Sequence, residues 1–212
     1  MSPDHEHFQF TDVAGVPRKW RDHLNCRHCK RQLVVYLGNA FLTHAPELLS
    51  GKQKLVVAGR FEGGQALGIT PSGVHVCPLL TCDAEESDTR VWLHAVHSAG
   101  TRKLLFSPDT DVYHTGLPLV NPDRFDVYVQ LSPASSPELR LLHLNQLHLD
   151  LATDPDLALV PPGLRACALQ TLFICSGCDY ISFFAGFGKA TIMRHFFMNA
   201  WFITGCAMMR DI

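Results

Sequence analysis

Residues 85–112, EESDTRVWLHAVHSAGTRKLLFSPDTDV, contain the clearest secondary-structure pattern of the chain. Apolar residues recur at helical spacing between Val91 and Ala99, and Gly100 is a typical helix stop, so we predict a helix over residues 85–100. The next apolar run, KLLFS at residues 103–107, predicts a strand, and PDTD at 108–111 predicts the turn after it. A helix followed directly by a strand is typical of α/β proteins.

Further elements on both sides of this stretch continue the alternation. The apolar patterns predict helices at residues 18–49, 163–175 and 190–204. They predict strands at residues 54–59, 74–79 and 126–131, a loop at 63–73, and either a strand or a helix start at 139–144. We therefore expect an α/β protein with a mainly parallel central sheet flanked by helices, preceded by a helical N-terminal segment over residues 1–50.

The composition excludes several classes of protein. The chain has 212 residues, 47% of them hydrophobic and 18% charged, which excludes intrinsic disorder. Its net charge of −2 differs from the strongly basic balance of a nucleic-acid coat protein. No apolar window is long enough to predict a membrane span, and no secretory signal is evident, so we expect no membrane partner and an intracellular chain with reduced thiols.

Acidic side chains stand out at three places along the chain. Glu85 and Asp88 lie at the start of the predicted helix, Asp109 and Asp111 follow the predicted strand, and Asp179 follows a buried helix. Each place alone has an ordinary explanation, because carboxylates cap helices and form turns. Together they indicate a site for Mg²⁺ or Mn²⁺, since such ions prefer carboxylate oxygens and two of them about 4 Å apart activate phosphodiesters.

Three segments carry a resemblance to a known family. EESDTRVWLHA at 85–95, LFSPDTDV at 105–112 and SGCDYISFFAGFGK at 176–189 resemble three ordered motifs of the PIN-like superfamily. The nearest branch is the flap-endonuclease and 5′-3′ exonuclease group, and the likeness is closer still to a PIN-like module of transposon-associated animal proteins. The resemblance covers residues 83–202, a little over half the chain.

The resemblance implies metal-dependent phosphodiester hydrolysis of nucleic acid by a structure-specific or 5′ nuclease-like activity. We expect DNA more than RNA as the substrate, and this substrate class favours a nuclear location. The residues that it implies as catalytic metal ligands for Mg²⁺ or Mn²⁺ are Glu85, Asp88, Asp109, Asp111 and Asp179. The residues that it implies as nucleic-acid contacts are Gly186, Gly188, Lys189 and Arg194. Independently of the resemblance, glycines before a helix expose N–H groups that favour a phosphate.

The chain departs from the family pattern in one respect that bears on activity. The family's first strand ends in a metal-binding aspartate, whereas the strand predicted at 54–59 is followed by Arg60. We therefore expect residues 51–212 to form an incomplete PIN-like domain. The alternative function is a catalytically inactive PIN-like scaffold that binds nucleic acid or protein.

A cluster of cysteines and histidines leaves a second kind of site open. His23, Cys26, His28 and Cys29 lie close together, and Cys-x-x-Cys is half of a zinc site. No second half lies near it in the sequence, and Cys26 falls within a helical pattern, which argues against a redox site. No Gly-x-Ser-x-Gly or Gly-x-x-x-x-Gly-Lys motif supports a serine hydrolase or a nucleoside triphosphatase. The aromatic run at 196–203 is typical of a core helix.

Overall fold

A computed structural model of the chain shows a mixed α/β protein and describes residues 10–11, 20–59, 61–83, 87–107, 109–132, 136–177 and 188–198. The chain divides into two compact units, Met1–Arg90 and Val91–Ile212. The sequence pattern predicts a different domain boundary, between residues 50 and 51. Within the described residues, no helix combines the length and the apolar character needed to cross a bilayer.

The first unit contains two helices and a small sheet. Its elements are α1 (Trp20–Asn25), α2 (Arg27–Leu48), β1 (Leu55–Ala58), β2 (Ala66–Thr70) and β3 (Gly73–Val76). The strands pair in the order β1-β2-β3, and both pairings are antiparallel. Helix α2 contacts all three strands, so the predicted N-terminal helix packs together with this sheet. The single helix predicted at 18–49 is found as two helices, because Cys26 has an extended backbone and separates α1 from α2.

The loop predicted at residues 63–73 is wrong, because β2 occupies its centre. Ala66 is fully buried, and pairing with strands on both sides satisfies the backbone of β2. Gly68 lies within β2, where other side chains approach its backbone closely. A Cβ at Gly68 would lie 2.6 Å from the His75 ring, which is a reason for glycine within a strand.

The second unit alternates helices and strands. The elements that follow β3 are α3 (Ser87–His97, which spans the boundary between the units), β4 (Arg102–Phe106), α4 (Thr110–Gly116), β5 (Asp126–Gln130), β6 (Leu141–His143), α5 (Leu144–Thr153), α6 (Pro162–Cys175) and α7 (Lys189–Met198). The predicted helix at 85–100 and the strands at 103–107 and 126–131 are confirmed within one to three residues at their described ends. The segment at 139–144 is both a strand and a helix start.

The second sheet has the order β4-β5-β6 and mixes the two kinds of pairing. Strands β4 and β5 are parallel, whereas β5 and β6 are antiparallel. Among the described strands, therefore, only one of four pairings is parallel, which differs from the mainly parallel sheet that the alternation predicts. Connection length explains the difference: the two-residue turn between β2 and β3 requires an antiparallel pair, whereas a crossover through α4 allows β4 and β5 to run parallel.

The core of the second unit lies against β5. Val127 and Val129 are completely buried, and the alternation predicted for this strand is confirmed. Trp92 of α3 and Leu144 of α5 belong to the same apolar cluster. Burying side chains of this size stabilises the fold by roughly 1.5–3 kcal/mol each. This core fixes the carboxyl end of β4, where the predicted acidic pair begins.

Candidate active site

The acidic pair after β4 starts a helix rather than forming the predicted turn. Asp109 is the N-cap of α4, and its Oδ1 accepts a hydrogen bond of 3.1 Å from the Asp111 backbone N–H. The Asp109 N–H in turn donates to Ser107 Oγ at 3.2 Å. A capping carboxylate and an acid in the first turn both interact favourably with the N-terminal end of the helix dipole. The local sequence therefore places two carboxylates at the carboxyl end of β4.

Contacts from α3 and α6 hold α4 in position. The indole Nε1–H of Trp92 donates to the Val112 carbonyl at 2.6 Å, and Gly116 lies directly against the same indole ring. From α6, Gln170 Nε2 donates to the Thr115 carbonyl at 2.6 Å. Because these bonds fix the backbone of a seven-residue helix, they also fix the direction of its first turn.

Lys189, at the first position of α7, reaches the acidic pair. Its Nζ lies 3.4 Å from Asp111 Oδ1 and 3.9 Å from the centre of the Phe173 ring. The opposite neighbour of Phe173 is His114, whose ring stacks on it with centroids 3.9 Å apart. Two motifs separated by 78 residues in the sequence therefore meet. The side chains of Lys189 and Asp111 remain 40% and 26% exposed, so water screens their attraction.

The Asp111 carboxylate affects the pKa of Tyr113, a neighbouring residue on α4. Burial raises the pKa of Tyr113 above its usual value, and the Asp111 carboxylate raises it further. The Tyr113 ring also contacts His114, with centroids 4.3 Å apart. The Tyr113 phenol therefore stays protonated at physiological pH, so it can donate a hydrogen bond but carries no negative charge.

The other predicted site residues divide into described and undescribed ones. Asp88 lies half-buried in the first turn of α3, with Ser87 Oγ 3.4 Å from its carboxylate. Gly188 is exposed directly before α7, and its carbonyl accepts from the Thr191 N–H at 2.9 Å. Arg194 is exposed on α7. Glu85, Asp179 and Gly186 lie outside the described residues.

The structure thus brings together three of the predicted residues: Asp109, Asp111 and Lys189. Carboxylate oxygens of this kind suit Mg²⁺ or Mn²⁺, which also retain several water ligands. Over the described residues, no group of three or more His, Cys, Asp or Glu side chains is close enough to hold a metal ion. Asp109 and Asp111 therefore supply the described part of the predicted ligand set, and further ligands would have to come from residues such as Glu85 and Asp179.

Sequence reasoning missed the aromatic surroundings of this pair. Phe173 and His114 lie 59 positions apart and carry no motif, so no spacing rule connects them. Sequence reasoning also passed over the cations at the start of α2, Arg27, Lys30 and Arg31, which line a cleft in the first unit. Their clustering within five residues was the available signal.

The cysteine pair lies at the start of α2. Cys26 is the N-cap residue, and Cys29 is buried one turn later. Burial raises the pKa of the Cys29 thiol, and its hydrogen bond with Cys26 raises it further, so the thiol stays protonated at neutral pH. The zinc alternative stays a prediction, because the side chain of His23 is outside the described set.

Fold and site together define a mixed α/β protein with a lysine-paired acidic site at a strand end. No protein-family model, curated protein or solved structure matches this chain.

Proposed function

We propose that this chain is a metal-dependent phosphodiesterase that acts on nucleic acid, with DNA as the substrate and the nucleus as its location. In this proposal residues 83–202 form a PIN-like module of the flap-endonuclease group, and the sheet β4-β5-β6 is part of a mainly parallel central sheet. The proposal is supported most directly by the approach of Lys189 to Asp111, because the resemblance assigns these two residues to the phosphate-binding and metal-binding parts of one site.

The position of the acidic pair also supports the proposal. Ligands of α/β proteins collect beyond the carboxyl ends of parallel strands, and Asp109 follows the carboxyl end of β4, which pairs in parallel with β5. Glu85, Asp88 and Asp179 complete the proposed ligand set. Bound Mg²⁺ or Mn²⁺ would supply activated water and neutralise charge on the phosphate.

The side chains of the chain itself have distinct proposed roles. Asp109 and Asp111 bind cation, and the helix cap keeps the Asp109 carboxylate at the start of α4. Lys189, held over Phe173, binds a phosphate oxygen of the substrate, with the Gly186 and Gly188 backbone and Arg194 as further phosphate contacts. His114 supports this arrangement from the opposite face of Phe173.

A cleavage assay tests the proposed activity. End-labelled single-stranded, duplex and 5′-flap DNA, with matched RNA, are incubated with the pure chain in Mg²⁺, Mn²⁺ or EDTA. We expect cleavage of at least one DNA substrate in metal and none in EDTA. Asp111→Asn should lower the rate about 100-fold, because it removes a charged ligand from the metal site.

The chain contains its own matched control for this substitution. Asp154 caps the short helical turn Pro155–Leu157 and accepts from the Asp156 N–H at 2.8 Å, the same local arrangement as in the Asp109 and Asp111 pair. The Asp156→Asn variant should therefore cleave the DNA substrates at the same rate as the parent chain. Absence of metal-dependent cleavage by the folded parent, or equal rates for Asp111→Asn and the parent, would reject the enzyme.

A second candidate function is the inactive PIN-like scaffold. It is favoured by the partners of the acidic pair, since Asp109 caps α4 and Asp111 pairs with Lys189, so protein groups already engage both carboxylates. The same assay separates the two candidates: a scaffold would bind the oligonucleotides equally well in metal and in EDTA and would leave every substrate intact.

A further inference from the structure

A cleft with an excess of positive charge lies within the first unit. Its volume is about 630 Å³, and four of its lining residues are cations: Arg27, Lys30, Arg31 and Arg90. Among the described lining residues, one is a carboxylate, Asp83. We call this feature the basic cleft. Of the described residues that the resemblance implies as metal ligands or nucleic-acid contacts, none lines it.

The basic cleft gathers charge where a helix already has a positive end. Arg27, Lys30 and Arg31 lie in the first two turns of α2, whose first turn contains no acidic residue. The Cys26 side chain does not cap a backbone N–H of the first turn. Cations at this end interact unfavourably with the positive end of the helix dipole. An anion there would be stabilised both by the cations and by the helix dipole.

Arg90 belongs to α3, far along the sequence from the cations of α2, and also lines the cleft. Its Nη2 donates to the Cys82 carbonyl, and its side chain packs 3.9 Å from the position of a Cβ on Gly59. An anchored guanidinium loses less entropy on binding an anion than a mobile one does, and its planar fork matches phosphate geometry. Arg90 therefore supplies a fixed positive charge.

Glycine backbone forms another part of the lining. Gly63 and Gly64 both have positive φ, at 65° and 68°, and open space lies where a Cβ would stand on Gly63. Backbone without side chains permits close approach of a ligand chain. Val34 and Val35 add apolar surface between the cations. Cations, open backbone and apolar wall together match the phosphates, sugars and bases of a strand.

We propose that the basic cleft binds the sugar–phosphate backbone of a nucleic-acid strand. The choice of nucleic acid over other anions rests on the proposed function, while the preference for an anion follows from the four cations that line the cleft. The cleft holds the strand without metal, so its binding is separable from cleavage. It therefore serves as a second nucleic-acid contact surface, in the first unit of the chain.

Fluorescence anisotropy in EDTA tests the proposal with the full chain and a fluorescein-labelled 20-nucleotide single-stranded DNA. Lys30→Gln/Arg31→Gln alters two exposed residues of α2 and retains good helix formers. We expect binding to weaken about 10-fold. The slope of log affinity against log salt should fall by about 1.4, because two phosphate contacts on a single strand are lost.

Lys52→Gln/Lys54→Gln is the matched control, since it removes two exposed lysines of the same unit that do not line the basic cleft. It should bind within 2-fold of the parent. Equal affinity of the two double variants, or competition by polyglutamate or anionic vesicles as strong as that by DNA, would overturn the assignment. If the parent binds DNA through the cleft but cleaves nothing in metal, the proposed function fails and the cleft stands.

Discussion

Gly116→Ala is expected to destabilise the second unit by about 3 kcal/mol, because the added methyl group has no space. A Cβ on Gly116 would overlap the indole ring of Trp92, which is buried and hydrogen-bonded through Nε1 to Val112. The ring cannot move aside without breaking that bond and opening the core. The midpoint of a thermal unfolding curve followed by circular dichroism should fall by about 9 °C.

Gly163→Ala is the control for this substitution. Gly163 is an exposed residue in the first turn of α6, and no atom lies within 4 Å of an added Cβ. Alanine in this helix should stabilise by about 0.5 kcal/mol, since it restricts the unfolded chain. If the Gly116→Ala and Gly163→Ala variants had the same unfolding midpoint, the described packing of Trp92 on α4 would be wrong. The account of how the acidic pair is supported would then be wrong as well.

Arg165→Met is expected to have an effect of similar size for a different reason. Arg165 is 5% exposed, and its guanidinium donates to four carbonyls at distances of 2.8 to 3.0 Å. Those carbonyls belong to Leu151, Ala152, Asp154 and Val160 and join the end of α5 to the start of α6. Methionine fills the space but removes all four hydrogen bonds, two of them fully buried, which should lower the free energy of urea unfolding by about 3 kcal/mol.

Arg140→Met removes an exposed arginine from the same unit and should change stability by less than about 0.5 kcal/mol. The comparison therefore isolates the buried hydrogen bonds from the loss of a positive charge. Equal stability of the two methionine variants would contradict the account of how α5 and α6 are joined.

Part of this fold follows from local sequence patterns. Elements whose apolar residues keep one clear period, such as α3 and β5, were predicted with the correct type and nearly correct ends. The period decides such elements because burial of one face dominates their free energy. In β5 two of the alternating apolar residues, Val127 and Val129, are completely buried.

For α5 the sequence predicts at most a possible helix start within residues 139–144, because the leucines that follow give two periods at once. Leu147, Leu149 and Leu151 alternate as in a strand, whereas Leu144, Leu147 and Leu151 follow a helix. Leu144 and Leu151 are buried and Leu149 is 54% exposed, so packing against β5 and α6 selects the helix. Such tertiary selection cannot be obtained from spacing alone.

The candidate site shows the same division between local and long-range information. The Asp109 and Asp111 pair could be predicted from its place after a strand, since cap chemistry is local. The approach of Lys189 was implied only by a resemblance, because 78 residues separate it from Asp111. The charge in the basic cleft was visible in the sequence as Arg27, Lys30 and Arg31, but Arg90 joins them only through the fold.

Calorimetric titration with Mn²⁺ tests most directly whether the acidic pair holds a catalytic cation. Asn caps helices about as well as Asp, so Asp109→Asn/Asp111→Asn removes charge while preserving the start of α4. Asp154→Asn/Asp156→Asn makes the same change at the equivalent local structure. We predict Mn²⁺ binding below millimolar concentration for the parent and the control, and none for Asp109→Asn/Asp111→Asn. No binding by the parent, or undiminished binding by that variant, would contradict the account.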